Sequence, residues 1–168
     1  MRFAYADPPY LGCGKLYKKH HAEALVWDDP ETHRKLIESL AEYDAWAMSL
    51  TSTSLQTLLP MCPADCRVGA WVKPFAVFRP NVNPAYAWEP VIYRGAKKRD
   101  RYSPTIRDWH SANITMMKGL PGAKPESFAM WVFNLLGVDG DDEFVDLFPG
   151  TGIMTRVWES WAVKSSSI

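Results

Sequence analysis

Cysteine is scarce in this chain. Cys13, Cys62 and Cys66 are the only three among 168 residues, an odd number without framework spacing, which excludes a disulfide scaffold and predicts a reducing compartment. The Cys62–Cys66 spacing can open a zinc site, but such a site needs two more ligands and the sequence has no second pair. The cysteines therefore read as ordinary buried or loop residues. Long apolar runs are missing as well: although 47% of the residues are hydrophobic, no unbroken stretch approaches the ~18 residues of a spanning helix, so no membrane role is expected. A secretory leader is not evident, because the chain enters Arg2-Phe3-Ala4-Tyr5-Ala6 directly, and an intracellular protein is predicted. Excess charge of one sign is also lacking, with 19 basic against 19 acidic residues. That argues against retention on nucleic acid by bulk charge.

What charge there is falls in clusters. Lys15, Lys18 and Lys19 form one basic patch and Lys97, Lys98, Arg99 and Arg101 another, while Asp139, Asp141, Asp142, Glu143 and Asp146 gather the acids. Strands are predicted at Arg2–Ala6, Ala45–Leu50, Val68–Lys73, Glu89–Arg94 and Glu143–Phe148. Helices are predicted between them. Pro30–Tyr43 carries Leu36, Ile37, Leu40 and Ala41 at helical spacing, with Asp29 as N-cap and Pro30 at the first position. Ser52–Leu59 forms a short helix ended near Pro60 and Pro63. Lys124–Leu136 presents Phe128, Trp131, Val132, Leu135 and Leu136 on one face and stops at Gly137, and Ile153–Trp161 supplies the last. Such alternation predicts one α/β domain over residues 1–168, a sheet flanked by helices that binds ligands beyond the carboxyl ends of its strands. Two long mixed segments, Leu11–Asp28 and Gly95–Ala123, are candidate substrate loops.

Two stretches carry chemistry. Asp7-Pro8-Pro9-Tyr10 follows the first strand directly. An aromatic amine is a poor nucleophile because its lone pair is delocalised into the ring, so acceptors must be placed around it. The Asp7 carboxylate and the Pro8 carbonyl can each accept one amine hydrogen, the two prolines preorganise them, and Tyr10 can stack on the base. An equally ordinary reading is a Pro-rich turn with Asp as a cap. The second stretch, Asp146-Leu147-Phe148-Pro149-Gly150-Thr151-Gly152, passes from a strand end through a glycine turn into a helix, which lets backbone approach a ligand closely. An ordinary tight connection reads the same way.

Together these stretches resemble the amino-methyltransferases that modify adenine at its 6-amino group or cytosine at its 4-amino group. In those enzymes Asp-Pro-Pro-Tyr/Trp is catalytic and Phe-x-Gly-x-Gly binds S-adenosylmethionine. The permuted order, catalytic loop first, is similar to the beta-class DNA methyltransferases and to the compact branch that includes the eukaryotic messenger-RNA adenosine methyltransferase. Ala70-Trp71-Val72-Lys73 resembles that branch's Trp-Val-Lys strand, Trp88-Glu89-Pro90-Val91-Ile92 its Glu-bearing strand, and Lys124-Pro125-Glu126 the opening of its helix before the glycine motif. The resemblance spans about residues 2 to 162.

It implies a Rossmann-like methyltransferase sheet and a site-specific, adenine-specific DNA methyltransferase of the cytoplasm, in a bacterial or phage-infected cell. The resemblance gives Asp7, Pro8, Pro9 and Tyr10 to catalysis, with Tyr10 on the target base. Asp7, Lys124, Asp146, Phe148, Gly150, Thr151 and Gly152 go to S-adenosylmethionine, with Lys124 near the cofactor carboxylate. Nucleic acid is the expected partner, DNA before RNA, contacted by Lys97, Lys98, Arg99 and Arg101; no metal is expected. Residues 162–168 leave little room for the further strand whose acidic end holds the cofactor ribose in this family. Thr151, Glu159, a homodimer or a partner subunit would then complete the site. A regulatory subunit without activity, or an enzyme acting on RNA adenosine or cytosine N4, are the alternative readings.

Overall fold

Alternation along the strands decides the layering. In β1 (Arg2–Ala6) Phe3 and Tyr5 pack to one side while Ala4 and Ala6 pack to the other. Ala45 and Ala47 likewise oppose Trp46 and Met48 in β2 (Ala45–Ser49). Successive side chains of a strand point to opposite faces, so strands with both sets buried must lie between two covering layers. The computed structural model, which describes residues 1–18, 23–75, 80–117 and 120–165, supplies those layers. Helices α4 (Glu126–Leu136) and α5 (Ile153–Ser165) bring Phe128, Val132, Phe133, Met154 and Val157 against Phe3 and Tyr5. On the opposite face, α2 (Pro30–Ser39) and α3 (Leu55–Leu58) bring Ile37 and Leu58 against Trp46 and Met48.

The remaining strands are β3 (Arg67–Val72), β4 (Trp88–Arg94), β5 (Trp109–Ser111) and β8 (Glu143–Asp146), and the main sheet runs β5-β3-β4-β2-β1-β8. β1 is parallel to both β2 and β8, β3 is parallel to β5, and β4 is antiparallel to its neighbours β2 and β3. β4 is therefore the one reversed strand of this α/β sheet. A small hairpin, β6 (Thr115–Met117) with β7 (Leu120–Ala123), precedes α4. No helix among the described residues is long and apolar enough to cross a membrane.

Local chemistry sets the element ends much as expected. The Asp29 carboxylate accepts the Glu31 amide at 3.0 Å and Pro30 opens α2, which ends at Ser39 and tightens into a 3-10 turn over Leu40–Glu42. α4 closes at Gly137 with φ 74, where the Gly137 and Val138 amides both return to the Phe133 carbonyl. The helix expected over Lys124–Leu136 starts at Glu126 with Pro125 as its N-cap, so Lys124 stands outside it. The two expected loops hold more structure than their sequence suggests. Leu11–Asp28 contains α1 (Gly14–Tyr17) and a 3-10 turn at Ala24–Asp28, and Gly95–Ala123 contains β5 and the hairpin. Elements of three or four residues are too short to show a period, and β5 exists because β3 offers it an edge. Lys19 of the early basic cluster lies outside the described residues.

Candidate functional site

Because β4 alone is reversed, its first residues lie at the same sheet edge as the last residues of β8, β1, β2 and β3. Tyr5 pairs with Asp146, and Trp71 pairs with Glu89. Asp7, just beyond β1, thereby meets Asp146 at the end of β8, Glu89 near the start of β4, and Lys73 just beyond β3. A cavity of about 470 Å³ opens at this edge, lined by Asp7-Pro8-Pro9-Tyr10, Glu89, Lys124 and the 146–151 turn.

Its floor is an ionic network. The Lys124 ammonium donates to both Asp7 carboxylate oxygens at 2.8 Å and to the Tyr10 hydroxyl at 2.9 Å. The Tyr10 hydroxyl lies 3.0 Å from Asp7 and 2.9 Å from Glu89, and donates to one of them at a time. Lys73 closes the chain with a 2.8 Å bond to Glu89. Two lysines and two carboxylates balance in charge. Lys124 is only 7% exposed and sits over the rings of Tyr10, Trp71 and Phe128. Burial alone would favour a neutral amine there, but Asp7 and Glu89 reverse this and hold its pKa above the ordinary lysine value. Burial likewise pushes Glu89 up, and Lys124 with Lys73 outweighs it, leaving the carboxyl below its usual range. Burial, then the neighbouring charge of Asp7, drives the Tyr10 phenol well above 10.0. Tyr10 is thus a neutral hydrogen-bonding residue as well as an aromatic wall.

The glycine turn forms another wall. Gly150 and Gly152 have φ 48 and 72, and an added side-chain carbon would meet nothing closer than 3.7 and 3.6 Å. Glycine is required here by backbone conformation rather than by crowding. Arg156 donates to the Thr151 carbonyl at 2.9 Å and holds the turn from α5. Burial raises the Asp146 carboxyl to about 6, against a weak bond from the Phe148 amide at 3.3 Å, with the charge of Asp7 adding to the rise. Phe148 meets Trp27 edge-on at 5.2 Å, so the 3-10 turn before α2 is clamped to the glycine stretch.

Asp7, Pro8, Pro9, Tyr10, Lys124, Asp146, Phe148, Gly150 and Thr151 all line this one cavity, and Gly152 ends its turn. The run Lys97, Lys98, Arg99 and Arg101, expected to contact nucleic acid, does not line this cavity. β4 carries the chain from Glu89 to the opposite sheet edge, where Lys97 pairs with Asp139 at 2.8 Å and with Asp142 at 2.5 Å. Asp142 also binds the Met1 amino group at the start of β1. Arg99 donates to the Asn134 carbonyl near the end of α4, and Arg101 covers the exposed ring of Tyr102. The segment returns through β5 and the hairpin, and among its described residues only the last, Ala123, lines the cavity. Conversely, Glu89 and Lys73 had no assigned role. Their signal was present: Lys73 follows the last residue of β3 and Glu89 is the second residue of β4, and the reversal of β4 brings these two opposite charges to one end of the sheet.

The fold and site define an α/β protein with a cavity at the carboxyl edge of a mostly parallel sheet. No family model and no curated protein matches the sequence. Among solved structures the chain is similar to the crystal structure of the M1.HpyAVI–SAM complex, with a TM-score of 0.63 at 12% identity, over 96% of this chain and 78% of that one. The likeness is one of fold.

Proposed function

We propose that this chain is an S-adenosylmethionine-dependent methyltransferase acting on the exocyclic amine of a nucleobase, adenine N6 in DNA foremost. The observation that carries the reading is the convergence of Asp7-Pro8-Pro9-Tyr10 and the Asp146–Gly152 turn, from opposite ends of the sequence, on one cavity. The neighbour of similar fold was solved in complex with SAM, which supports the same ligand here. So does the fit of the residues. A volume of about 470 Å³ falls in the usual range for a small-molecule site, the open glycine turn admits close backbone approach, and Asp146 and Asp7 suit an ammonium group.

When bound, the cofactor supplies an activated methyl group. The chain's own residues then have to present the amine. Asp7 retains acceptor capacity while Lys124 holds both its oxygens, because each carboxylate oxygen has two lone pairs. It accepts one amine hydrogen and the Pro8 carbonyl accepts the other, aiming the nitrogen lone pair at the methyl group. Pro8 and Pro9 are buried, so these acceptors are preorganised and need no rearrangement as charge develops. Tyr10, tied to Glu89, gives the base an aromatic wall that partly replaces the stacking it lost.

The test is incubation of the purified protein with methyl-labelled S-adenosylmethionine and unmethylated DNA or RNA, followed by digestion and identification of the labelled nucleoside. Label on N6-methyladenine in DNA is expected. Label on cytosine or in RNA would keep the reaction and change the target, and no label from a folded protein would leave a binding subunit. Asp7→Ala should abolish transfer without unfolding the chain; undiminished turnover would sink the mechanism.

A further inference from the structure

A second cavity, of about 340 Å³, lies beside the first and is lined by Ser52, Asn81, Asn83, Tyr86 and Trp88 among others. Its position follows from the register. Ser49 pairs with Val91 and the Leu50 amide reaches the Pro90 carbonyl, so the same antiparallel register brings Ser52 level with Trp88. Trp88 and Glu89 are consecutive on β4 and must point to opposite faces of the sheet. Glu89 shares its face with Val91 and Tyr93, under α4, and lines the first cavity. Trp88 shares its face with Ile92, under α2 and α3. The two cavities therefore flank one strand end, one on each side of the sheet edge.

The lining has the chemistry of a base-binding pocket. Tyr86 and Trp88 are 47% and 38% exposed, and hydrophobic rings of that size left uncovered need an account. Asn81, Asn83 and Ser52 add amide and hydroxyl groups able to read a base edge. Charge fits a polyanion too. Of the 19 acidic residues, Asp65 is the only one between Asp44 and Glu89, and it is spent on Arg94 at the far sheet edge, 2.7 Å away. No carboxylate of that stretch opposes a phosphate at this rim.

We propose that this second cavity is a nucleobase subsite, taking an unpaired base that flanks the target base on the same strand. The proposal rests on the methyltransferase reading for the identity of the first cavity's occupant. The strand crosses the start of β4, with the target base on the Glu89 side and its neighbour on the Trp88 side. Base stacking on an aromatic side chain sets the size of the effect.

The experiment uses a short single-stranded oligothymidine carrying one adenine, with single abasic sites placed in turn on either side of it. One abasic position is expected to weaken binding to the parent protein by about 5- to 100-fold. Trp88→Ala should bind the intact strand with a similar loss and be indifferent to that abasic site, Tyr86→Ala should lose part of the affinity, and Trp88→Phe should recover most of it. S-adenosylmethionine affinity, read by calorimetry, should be unchanged in all three, which also reports that they fold. Parent-like binding of the intact strand by both alanine variants would overturn the subsite. So would self-association of the parent that Trp88→Ala abolishes while strand affinity stays, since the surface would then be a protein interface. If the parent shows the abasic pattern but neither binds S-adenosylmethionine nor transfers methyl, the methyltransferase reading falls and the subsite stands.

Discussion

Lys124 shows how much one side chain can decide. It joins Asp7, 117 residues away, to Tyr10 and Glu89, and its own side chain is only 6% exposed. Removing one partner of a buried ion pair leaves the other charge uncompensated, which typically costs about 3–5 kcal/mol. Lys124→Met should lower the unfolding free energy in urea by that order, and a loss below about 1 kcal/mol would show the network to be well hydrated. Asp146 makes a pH prediction. Its carboxyl is raised to about 6 in the folded protein against an ordinary value of 3.8. The folded state therefore holds this proton more tightly than the unfolded chain does. The group's contribution to stability is full below about 4 and is lost as pH rises through about 6. An ammonium ligand needs the ionised form, so S-adenosylmethionine affinity should increase from pH 5 to pH 7, and Asp146→Asn should flatten both trends. Calorimetric titration across that range reads the binding directly.

Among the elements, α4 is held at both ends by features that are not interchangeable. Its beginning places Lys124 just ahead of Pro125, and its end turns at Gly137 in the left-handed region. A side-chain carbon at Gly137 would also come within 2.9 Å of the Lys97 Cβ. Left-handed backbone alone costs a non-glycine residue roughly 1–2 kcal/mol. Gly137→Ala should thus lower the melting temperature while leaving ligand affinity intact, because the strain falls at the end of α4 away from the cavity. A melting temperature equal to the parent's would mean that the turn relaxes freely. Helix α4 and the long strands were legible because Phe128, Trp131 and Val132, or Phe3 and Tyr5, repeat at the period of the element. The hairpin and β5 were not, since three residues cannot display a period and their pairing depends on distant chain.

For the whole molecule, the reversal of β4 separates two basic features that look alike in sequence. Lys73, at the end of β3, enters the site; Lys97, beyond β4, goes to the other edge and ties the start of β1 to the stretch before β8. Lys97→Ala should therefore reduce stability by roughly 1–2 kcal/mol through lost charged hydrogen bonds. It should leave the salt dependence of nucleic-acid binding unchanged, since no released counterion belongs to it. A shallower salt slope in that variant would return the residue to the interface.

The sequence by itself determined the α/β class, the strand and helix alternation, the cap that opens α2 and the glycine that closes α4, and the two stretches that converge on the cavity. Each of these depends on local periodicity, capping or turn residues, and the resemblance added the order of the motifs. Only the tertiary structure decided that Glu89 and Lys73 join Asp7, that the Tyr10 hydroxyl enters the same network, and that the Lys97–Arg101 run lies away from the cavity. Those outcomes hang on the direction of one strand. Strand direction is chosen by the pairing and packing of the whole sheet, and no local pattern in β4 encodes it.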